Sequence, residues 1–174
     1  MDANNIDIDE QFDIVFSNAT IQWLPNHEIL LKKLKKLVSE QGLLAVQLPL
    51  FWDMPLGKSI SQISRNEHWK TFTSEVSELF TIHNSSFYYD QLSKLFSSVE
   101  IWETDYIHIL DSQLSILAMI RSTGLKPFLE KLENDYDKIS FESEVFNTIR
   151  KEYPFQKNGK VLFPFKRLFF IAGN

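Results

Sequence analysis

The sequence predicts an α/β protein organised around a parallel pair of strands. The run Ile14–Phe16 is continuously apolar, which is typical of a strand that is covered on both faces of a sheet. The stretch after Asn26 repeats leucines with helical spacing, and Leu43–Leu48 is a second apolar run. Because the connections are short, these three segments predict a right-handed strand–helix–strand crossover in a parallel sheet.

The helix between these strands has recognisable ends. Asn26 is a candidate N-cap, and the carboxylate of Glu28 suits the first turn of a helix. An apolar face lies opposite a run of lysines that indicates a solvated surface. That apolar face consists of Leu30, Leu34, Leu37 and Val38. We expect Gly42 to end the helix as a left-handed residue, so that the second strand begins at Leu43 and ends at Pro49.

Shorter signals predict the elements that follow. Residues 57–82 contain apolar spacings that predict two further helices, and another helix opens at Tyr88 and Tyr89. From Val99 to Tyr106, β-branched and aromatic residues favour a strand. The helices of residues 57–82 would either cover the mouth of a ligand site or pack without touching a ligand.

The last third of the chain predicts a helical region and one closing strand. Asp111 or Ser112 can cap a helix, and Asp135–Tyr153 is predicted as one long helix. Its inward residues are predicted to be Ile139, Val145, Phe146 and Ile149. Asn158–Gly159 is a strong turn signal, so Val161–Ala172 is predicted as the final strand.

Composition excludes several classes of function. The 174 residues are 44% hydrophobic and 24% charged, which fits one globular domain, and the net charge of −5 provides no basic face for nucleic acid or an anionic membrane. Without cysteine there is no disulfide, thiolate ligand or cysteine nucleophile, and the four histidines lack the spacing of metal ligands. No apolar run reaches spanning length and the acidic start is no secretory signal, so we expect a cytoplasmic protein.

Several segments resemble one family in the order in which that family has them. The segment FDIVFSNATIQWLPNH, which begins at Phe12, resembles the strand-4 region of class I S-adenosylmethionine (SAM) dependent methyltransferases. Later segments that are similar to the same family are GLLAVQLP, YYDQLS, VEIWETDYIHIL with STGLKPFL, and EYPFQKNGKVLFPFKRLFFIA. The likeness is strongest to the trans-aconitate 2-methyltransferase group, and it covers nearly the whole chain.

The resemblance implies a three-layer, Rossmann-like methyltransferase sheet of which this chain holds the C-terminal half. Its strands would be the family's strands 4, 5, 6 and 7, in the spatial order 4-5-7-6, with strand 7 antiparallel. Residues 1–174 would form a single partial methyltransferase domain, with helical cap segments at about 57–82 and 112–153.

The resemblance also implies methyl transfer from SAM to a carboxylate of a small polycarboxylic acid. A carboxylic acid has a pKa of about 4, so the acceptor is already ionised at neutral pH and no catalytic acid or base is required. By the family pattern, the cofactor-binding residues are Asp2, Ala3, Asn18, Ala19 and Thr20. The candidate substrate-binding residues are Gln22, Trp23, Tyr88, Tyr89, Arg121, Lys126 and Arg167.

Some of these residues have structural alternatives. Trp23, Tyr88 and Tyr89 are as compatible with packing as with a ligand contact, and Trp102 is expected in the core. Lys126 stands where the family tends to have arginine. Because lysine cannot make the planar two-pronged contact to a carboxylate, the identity of the acceptor acid stays open.

The positions of the glycines indicate that this chain lacks the glycine-rich part of a cofactor site. The five glycines are scattered, so they form no glycine-rich turn that could hold a cofactor against backbone N–H groups. The resemblance implies that this turn lies upstream of Met1, and we expect the isolated chain to be inactive. It could be an enzyme portion that works with its missing half, or a non-catalytic remnant that self-associates or serves as a binding module. Because strand 4 would form a bare apolar edge, a homodimer or pairing with the missing half is expected.

Overall fold

The computed structural model describes Ile6 and residues 8–174, which form two compact units. Unit 1 comprises the chain up to Leu50 together with Leu79–Thr104 and Arg167–Asn174. Unit 2 comprises Phe51–Glu78 and Asp105–Lys166. The helical segments expected at about 57–82 and 112–153 fall in unit 2, apart from the last four residues of the first segment.

The described residues form an α/β arrangement of strands and helices. The strands are β1 (Phe12–Asn18), β2 (Val38–Pro49), β3 (Ser98–Leu110) and β4 (Val161–Gly173). The helices are α1 (His27–Leu37), α2 (Pro55–Ser64), α3 (Lys70–Thr73), α4 (Ser85–Leu92), α5 (Gln113–Arg121), α6 (Lys126–Glu130) and α7 (Asp135–Glu152). Short 3-10 helices cover Ile21–Trp23, Phe51–Asp53 and Ser74–Leu79.

The sheet has the mixed topology that the resemblance implied. Among the described residues the strand order is β1-β2-β4-β3. β1 runs parallel to β2, with Asn18 opposite Gln47, and β2 runs antiparallel to β4, with Pro49 opposite Arg167. This arrangement confirms the predicted crossover between parallel strands and the antiparallel final strand inserted beside β2.

The core of unit 1 lies between one face of the sheet and the helices α1 and α4. Leu44, Leu168 and Phe170 on the strands are fully buried and belong to one cluster with Leu31 of α1 and Tyr88 of α4. The predicted apolar face of α1 is confirmed. Its members Leu30, Leu34 and Leu37, together with Val38, are all buried. Each such side chain contributes roughly 1.5–3 kcal/mol of burial free energy.

The predicted role of Gly42 is wrong. The helix ends at Leu37 and β2 begins at once, so Gly42 lies inside the strand. A Cβ at Gly42 would lie 2.8 Å from the carbonyl oxygen of Phe12, and the pairing register of β1 and β2 is irregular between Phe12 and Ile14. Glycine is therefore required for the close approach of two strands and not for a helix end.

β1 departs from the expectation of a strand covered on both faces. It lies at the edge of the sheet, and its alternate residues Phe12, Ile14 and Phe16 are 40%, 67% and 70% exposed. We call these three side chains the β1 apolar face, because residues two apart on a strand point to the same side. Val15, between them, packs against the unit 1 core. Only one face of β1 is thus covered among the described residues.

Unit 2 has its own aromatic core. The rings of Trp69 and Phe141 meet edge to face at 5.3 Å, and Phe128 stacks on Phe141 at 5.9 Å. The indole N–H of Trp69 donates to Glu144 over 2.9 Å, which satisfies the polar atom of a buried side chain. The backbone N–H of Leu56 donates to the hydroxyl oxygen of Tyr153 over 3.2 Å, and burial raises the pKa of Tyr153 to about 12.

The long helix of unit 2 is confirmed, but one of its inward residues is not. α7 is capped by Asn134, whose side chain accepts from the backbone N–H of Asp137. Val145 and Ile149 are buried as predicted, whereas Ile139 is 63% exposed and Phe141 takes a core position instead. The aromatic contacts of Phe141 decide which face of the helix turns inward. Ser112, the second of the two predicted caps, accepts from Ser115 at the start of α5.

Candidate functional site at the carboxyl ends of β1 and β2

The turn after β1 is held in an uncommon backbone conformation. Ala19 has a φ of 50°, in the left-handed region that residues with a Cβ seldom adopt. Its N–H donates to the carbonyl oxygen of Gln47 over 2.9 Å, and the hydroxyl of Thr20 donates to the carbonyl of Asn18 over 3.1 Å. The turn is therefore anchored to the carboxyl end of β2, where open α/β sheets bind their ligands.

Gln22 extends this turn toward the interior. Its side chain is buried, and its Nε2 donates to the carbonyl oxygen of Ala19 over 2.7 Å. Because a carbonyl can only accept, this bond fixes the orientation of the amide and leaves Oε1 as an acceptor. That oxygen is buried without a hydrogen-bond partner among the described residues. Gln22 thus offers one unused acceptor beside the turn.

Gln47 and Arg167 form the second part of the site. Nη1 of Arg167 donates to Oε1 of Gln47 over 2.7 Å, and Gln47 is only 5% exposed. Gln47 is paired with Asn18 of β1 and with Phe169 of β4, and paired residues point to the same face of a sheet. Arg167 lies two residues from Phe169, so the side chains of Asn18, Gln47 and Arg167 all leave the same face. We call Asn18, Gln22, Gln47 and Arg167 the polar cluster.

Gln47 is the residue that the sequence prediction missed. It stands in the segment GLLAVQLP, where a single glutamine interrupts an apolar strand close to its carboxyl end. That interruption was a signal, because a polar side chain in a buried strand has to find partners. Its Nε2 has no hydrogen-bond partner among the described residues and is buried. An unsatisfied buried amide group costs roughly 1–3 kcal/mol, and a hydrogen-bond acceptor beside this N–H would remove that cost.

The aromatic substrate candidates of unit 1 lie in different environments. Trp23 is 42% exposed and its ring lies 4.6 Å from that of Phe80. Tyr89 is half-exposed, whereas Tyr88 has no exposed surface and its hydroxyl lies 2.7 Å from Nδ1 of His27. The Tyr88 hydroxyl is thus engaged within the core, which argues against the ligand role expected for it.

His27 occupies the centre of a buried hydrogen-bond chain. Its Nε2 lies 2.8 Å from the carbonyl oxygen of Ile21, so Nε2 carries the proton and Nδ1 accepts from the Tyr88 hydroxyl. Burial lowers the pKa of His27, and the nearby His83 ring, 5.4 Å away, acts in the same direction. Burial also lowers the pKa of His83 and raises that of Tyr88. The neutral ring ties the start of α1 to α4.

Acidification is expected to destabilise unit 1 through His27. Its pKa in the folded chain lies below the ordinary value of 6.5, so the unfolded chain binds a proton that the folded chain excludes. The stabilising effect is complete above about pH 6.5 and is lost as the pH falls below that value. We expect the free energy of unfolding to decline by up to about 1.4 kcal/mol per pH unit in this window. Urea unfolding at several pH values measures the slope.

A pair of glutamine variants separates this effect from general acid sensitivity. His27→Gln removes one of two rings whose pKa is lowered by burial, so it should reduce the slope to the part that His83 contributes, even though it lowers stability at neutral pH. His68→Gln changes an exposed histidine of unit 2 and should keep the slope of the unmodified chain. A His27→Gln protein with an unaltered slope would show that another group causes the pH dependence.

Two of the predicted cationic residues, Arg121 and Lys126, belong to unit 2. There Nε of Arg121 lies 2.7 Å from Glu142, and Nζ of Lys126 lies 3.6 Å from Glu130. Asp2 and Ala3 lie outside the described residues. The expectation that Trp102 lies in the core is wrong: its side chain is 41% exposed and stacks on Phe169 with a ring distance of 5.2 Å. Its neighbour Ile101, on the other face of β3, packs against the unit 1 core instead.

In the part of the chain that the structure describes, no group of three or more histidine, cysteine, aspartate or glutamate side chains could hold a metal ion. No helix among those residues is long and apolar enough to cross a membrane.

Comparison with curated proteins gives matches along almost the whole chain. Trans-aconitate 2-methyltransferase from Escherichia coli O157:H7 is 33% identical over 171 residues, which are 98% of this chain and 66% of the relative. The protein of the same name from Escherichia fergusonii is 34% identical over the same shares of both chains. The chain thus spans 66% of the length of the curated relatives it matches.

The fold is that of a Rossmann-like α/β protein, and the polar cluster is a candidate site at the carboxyl ends of its strands. Two solved structures share this fold: the YcgJ protein from Bacillus subtilis (TM-score 0.52, 10% identity, 99% of this chain and 68% of that chain) and a candidate methyltransferase from Bacillus halodurans (TM-score 0.51, 11% identity, 99% and 69%). The family described as "Methyltransferase domain" matches residues 1–46. By its sequence matches, the chain belongs to the methyltransferase family.

Proposed function

We propose that this chain supplies the acceptor side of a SAM-dependent methyltransferase that acts on a carboxylate of a small polycarboxylic acid. The observation that carries the proposal is the polar cluster, in which buried Gln47 holds the Arg167 guanidinium on the same face of the sheet as Asn18. A guanidinium beside an amide N–H is suited to a carboxylate, because both donate hydrogen bonds and one carries positive charge. The curated relatives named trans-aconitate 2-methyltransferase support this choice of acceptor.

The residues have distinct roles in the proposed reaction. When bound, SAM supplies the methyl group, and the acceptor needs no general base because its carboxylate is already ionised at neutral pH. Arg167 binds and orients the acceptor, which restricts its approach to the methyl group. Asn18, Ala19 and Thr20 form the wall on the cofactor side, and the exposed amide of Asn18 can donate and accept there. Gln22 and Trp23 line the same end of the sheet.

The described residues fit only one wall of a SAM site. The turn at residues 18–20 offers polar groups, but the five scattered glycines of the chain provide no glycine-rich turn. We assign the remaining cofactor contacts to the part of the curated relatives that this chain does not match, with Asp2 and Ala3 as the adenine contacts that the resemblance implies. Tyr89, Arg121 and Lys126 remain candidate acceptor contacts.

A second function is favoured by the β1 apolar face. Three exposed apolar side chains on an edge strand form a surface on which another polypeptide could pair and pack. A non-catalytic chain that self-associates through this face would need no SAM. Binding of SAM after the missing contacts are supplied distinguishes the two functions, because only the methyltransferase portion gains it.

A fused protein tests the proposed function. In it, the part of the Escherichia coli relative that this chain does not match is placed ahead of Met1. We expect mass spectrometry to detect a methyl ester of trans-aconitate when SAM is present. Asn18→Leu removes the hydrogen bonds of the cofactor-side amide, so it should lower turnover by at least about 100-fold, corresponding to two lost bonds.

The control variant for this experiment is Asn147→Leu. It makes the same substitution at an exposed position of α7 and should retain the activity of the fused protein. If the fused protein folds and neither binds SAM nor methylates any carboxylate, the proposed methyltransferase function is refuted and the second function remains.

A further inference from the structure

The orientation of the Gln47 amide is fixed by its bond to Arg167. A guanidinium can only donate, so the atom of Gln47 that lies 2.7 Å from Nη1 has to be the carbonyl oxygen Oε1. The NH₂ group therefore points away from Arg167. It is buried and has no hydrogen-bond partner among the described residues. A fully buried amide donor without a partner is rare in native proteins and calls for a specific explanation.

The backbone of the site holds this donor in place. The carbonyl oxygen of Gln47 accepts from Ala19 over 2.9 Å, and the carbonyl oxygen of Ala19 accepts from Gln22 over 2.7 Å. Gln47 is thereby tied to the turn after β1 by its main chain and to β4 by its side chain. Its free N–H groups cannot turn toward water without breaking the bond to Arg167, because the two ends of one planar amide move together.

We propose that Gln47 is a specificity-determining residue of the acceptor site, which both positions Arg167 and donates a hydrogen bond to the same acceptor carboxylate. This inference rests on the proposed function. The carboxylate in question is one that is not methylated, because a guanidinium and an amide N–H together withdraw charge from its oxygens and weaken it as a nucleophile. The acceptor must then carry at least two carboxylates, one bound by Gln47 and Arg167 and one that reacts.

Gln47→Glu keeps the bond to Arg167 and removes the N–H donor. A glutamate oxygen still accepts from Arg167, and a charged partner strengthens that bond. The N–H donor is lost, however, and a negative charge faces the acceptor carboxylate in its place. The added charge would weaken acceptor binding even if Gln47 only positioned Arg167, so the donor role is tested by the Gln47 amide signal, which is expected to shift on addition of the acceptor because its N–H contacts the carboxylate.

The test uses the full chain labelled with nitrogen-15 and trans-aconitate as the probe. The side-chain amide signal of Gln47 is identified as the one that disappears in Gln47→Leu. We expect this signal to shift along a saturable curve as trans-aconitate is added in the millimolar range. Gln47→Glu should keep the melting temperature and weaken the affinity at least about tenfold, which corresponds to about 1.4 kcal/mol.

Two comparisons complete the experiment. Gln41→Glu adds the same charge to an exposed side chain at the other end of β2 and should bind trans-aconitate like the unmodified chain. In the fused protein, Gln47→Glu should raise KM for trans-aconitate with little change in kcat, because the lost contact does not involve the reacting carboxylate.

The outcomes distinguish this inference from the proposed function. If Arg167→Gln weakens binding and Gln47→Glu leaves both the affinity and KM unchanged, the role of Gln47 is refuted and the proposed function stands. If trans-aconitate shifts no signal of the polar cluster and the fused protein methylates no carboxylate, both are refuted.

Discussion

Lysine in place of Ile14 is expected to prevent the self-association that we propose for this chain through the β1 apolar face. Ile14 lies in the middle of the β1 apolar face, is 67% exposed, and belongs to an edge strand whose outer backbone groups have no strand beside them among the described residues. A second chain that covers this face would gain roughly 1.5–3 kcal/mol for each large apolar side chain that it buries. A lysine at the centre removes one such side chain and would bring an unpaired charge into the interface. We expect the dimer to weaken by at least about 100-fold, which is close to 3 kcal/mol.

Sedimentation equilibrium over a range of concentrations measures this change. The matched control is Ile29→Lys, which makes the same substitution at a 55% exposed isoleucine of α1 and should leave association intact. A clean monomer of the unmodified chain at high concentration would contradict the prediction, and so would an Ile14→Lys chain that still dimerises.

The sheet was the most predictable part of the fold. The apolar runs at Ile14–Phe16 and Leu43–Leu48 are short and lie on either side of an amphipathic helix, so local pattern was enough to identify two parallel strands. The position of β4 between β2 and β3 could not come from local pattern. It depended on the family resemblance, because β2 pairs with residues more than a hundred positions later in the chain.

The errors arose where contacts between distant segments outweighed local signals. Glycine is common at helix ends, which suggested that role for Gly42. The structure instead requires glycine there because the carbonyl oxygen of Phe12 on the neighbouring strand leaves no room for a side chain. Ile139 fits the helical spacing of α7, yet the stacking of Phe141 on Phe128 turns the helix so that Ile139 faces outward. The sequence pattern of one segment cannot predict such features, because the position of Gly42 and the inward face of α7 both depend on contacts with a second segment.

The candidate site was predictable only in part for the same reason. The turn at residues 18–20 follows directly from the end of β1, so a ligand position there could be inferred from the strand alone. The role of Gln47 depends on Arg167, which lies 120 residues further along the chain. Nothing in the segment around Gln47 indicates that its amide oxygen is occupied while its N–H groups are not.

The largest expected effect concerns the affinity for SAM. The described residues provide one wall of a SAM site, the turn at residues 18–20. The five glycines are scattered along the chain, so they form no glycine-rich turn that could bind the cofactor through backbone N–H groups. The contacts assigned to the part of the relatives outside the match are several backbone and carboxylate hydrogen bonds at roughly 1–3 kcal/mol each. Together they account for most of the 8 kcal/mol or so that a micromolar dissociation constant represents. We therefore expect the isolated chain to have almost no affinity for SAM, compared with a protein that has the complete site.

Calorimetric titration of SAM into the isolated chain and into the fused protein tests the proposed division of the site most directly. The isolated chain should give no saturable heat at millimolar SAM. The fused protein should bind with a dissociation constant near the micromolar range, and Asn18→Leu should remove that binding while Asn147→Leu retains it. A micromolar dissociation constant for the isolated chain would contradict the assignment of the main cofactor contacts to residues outside it.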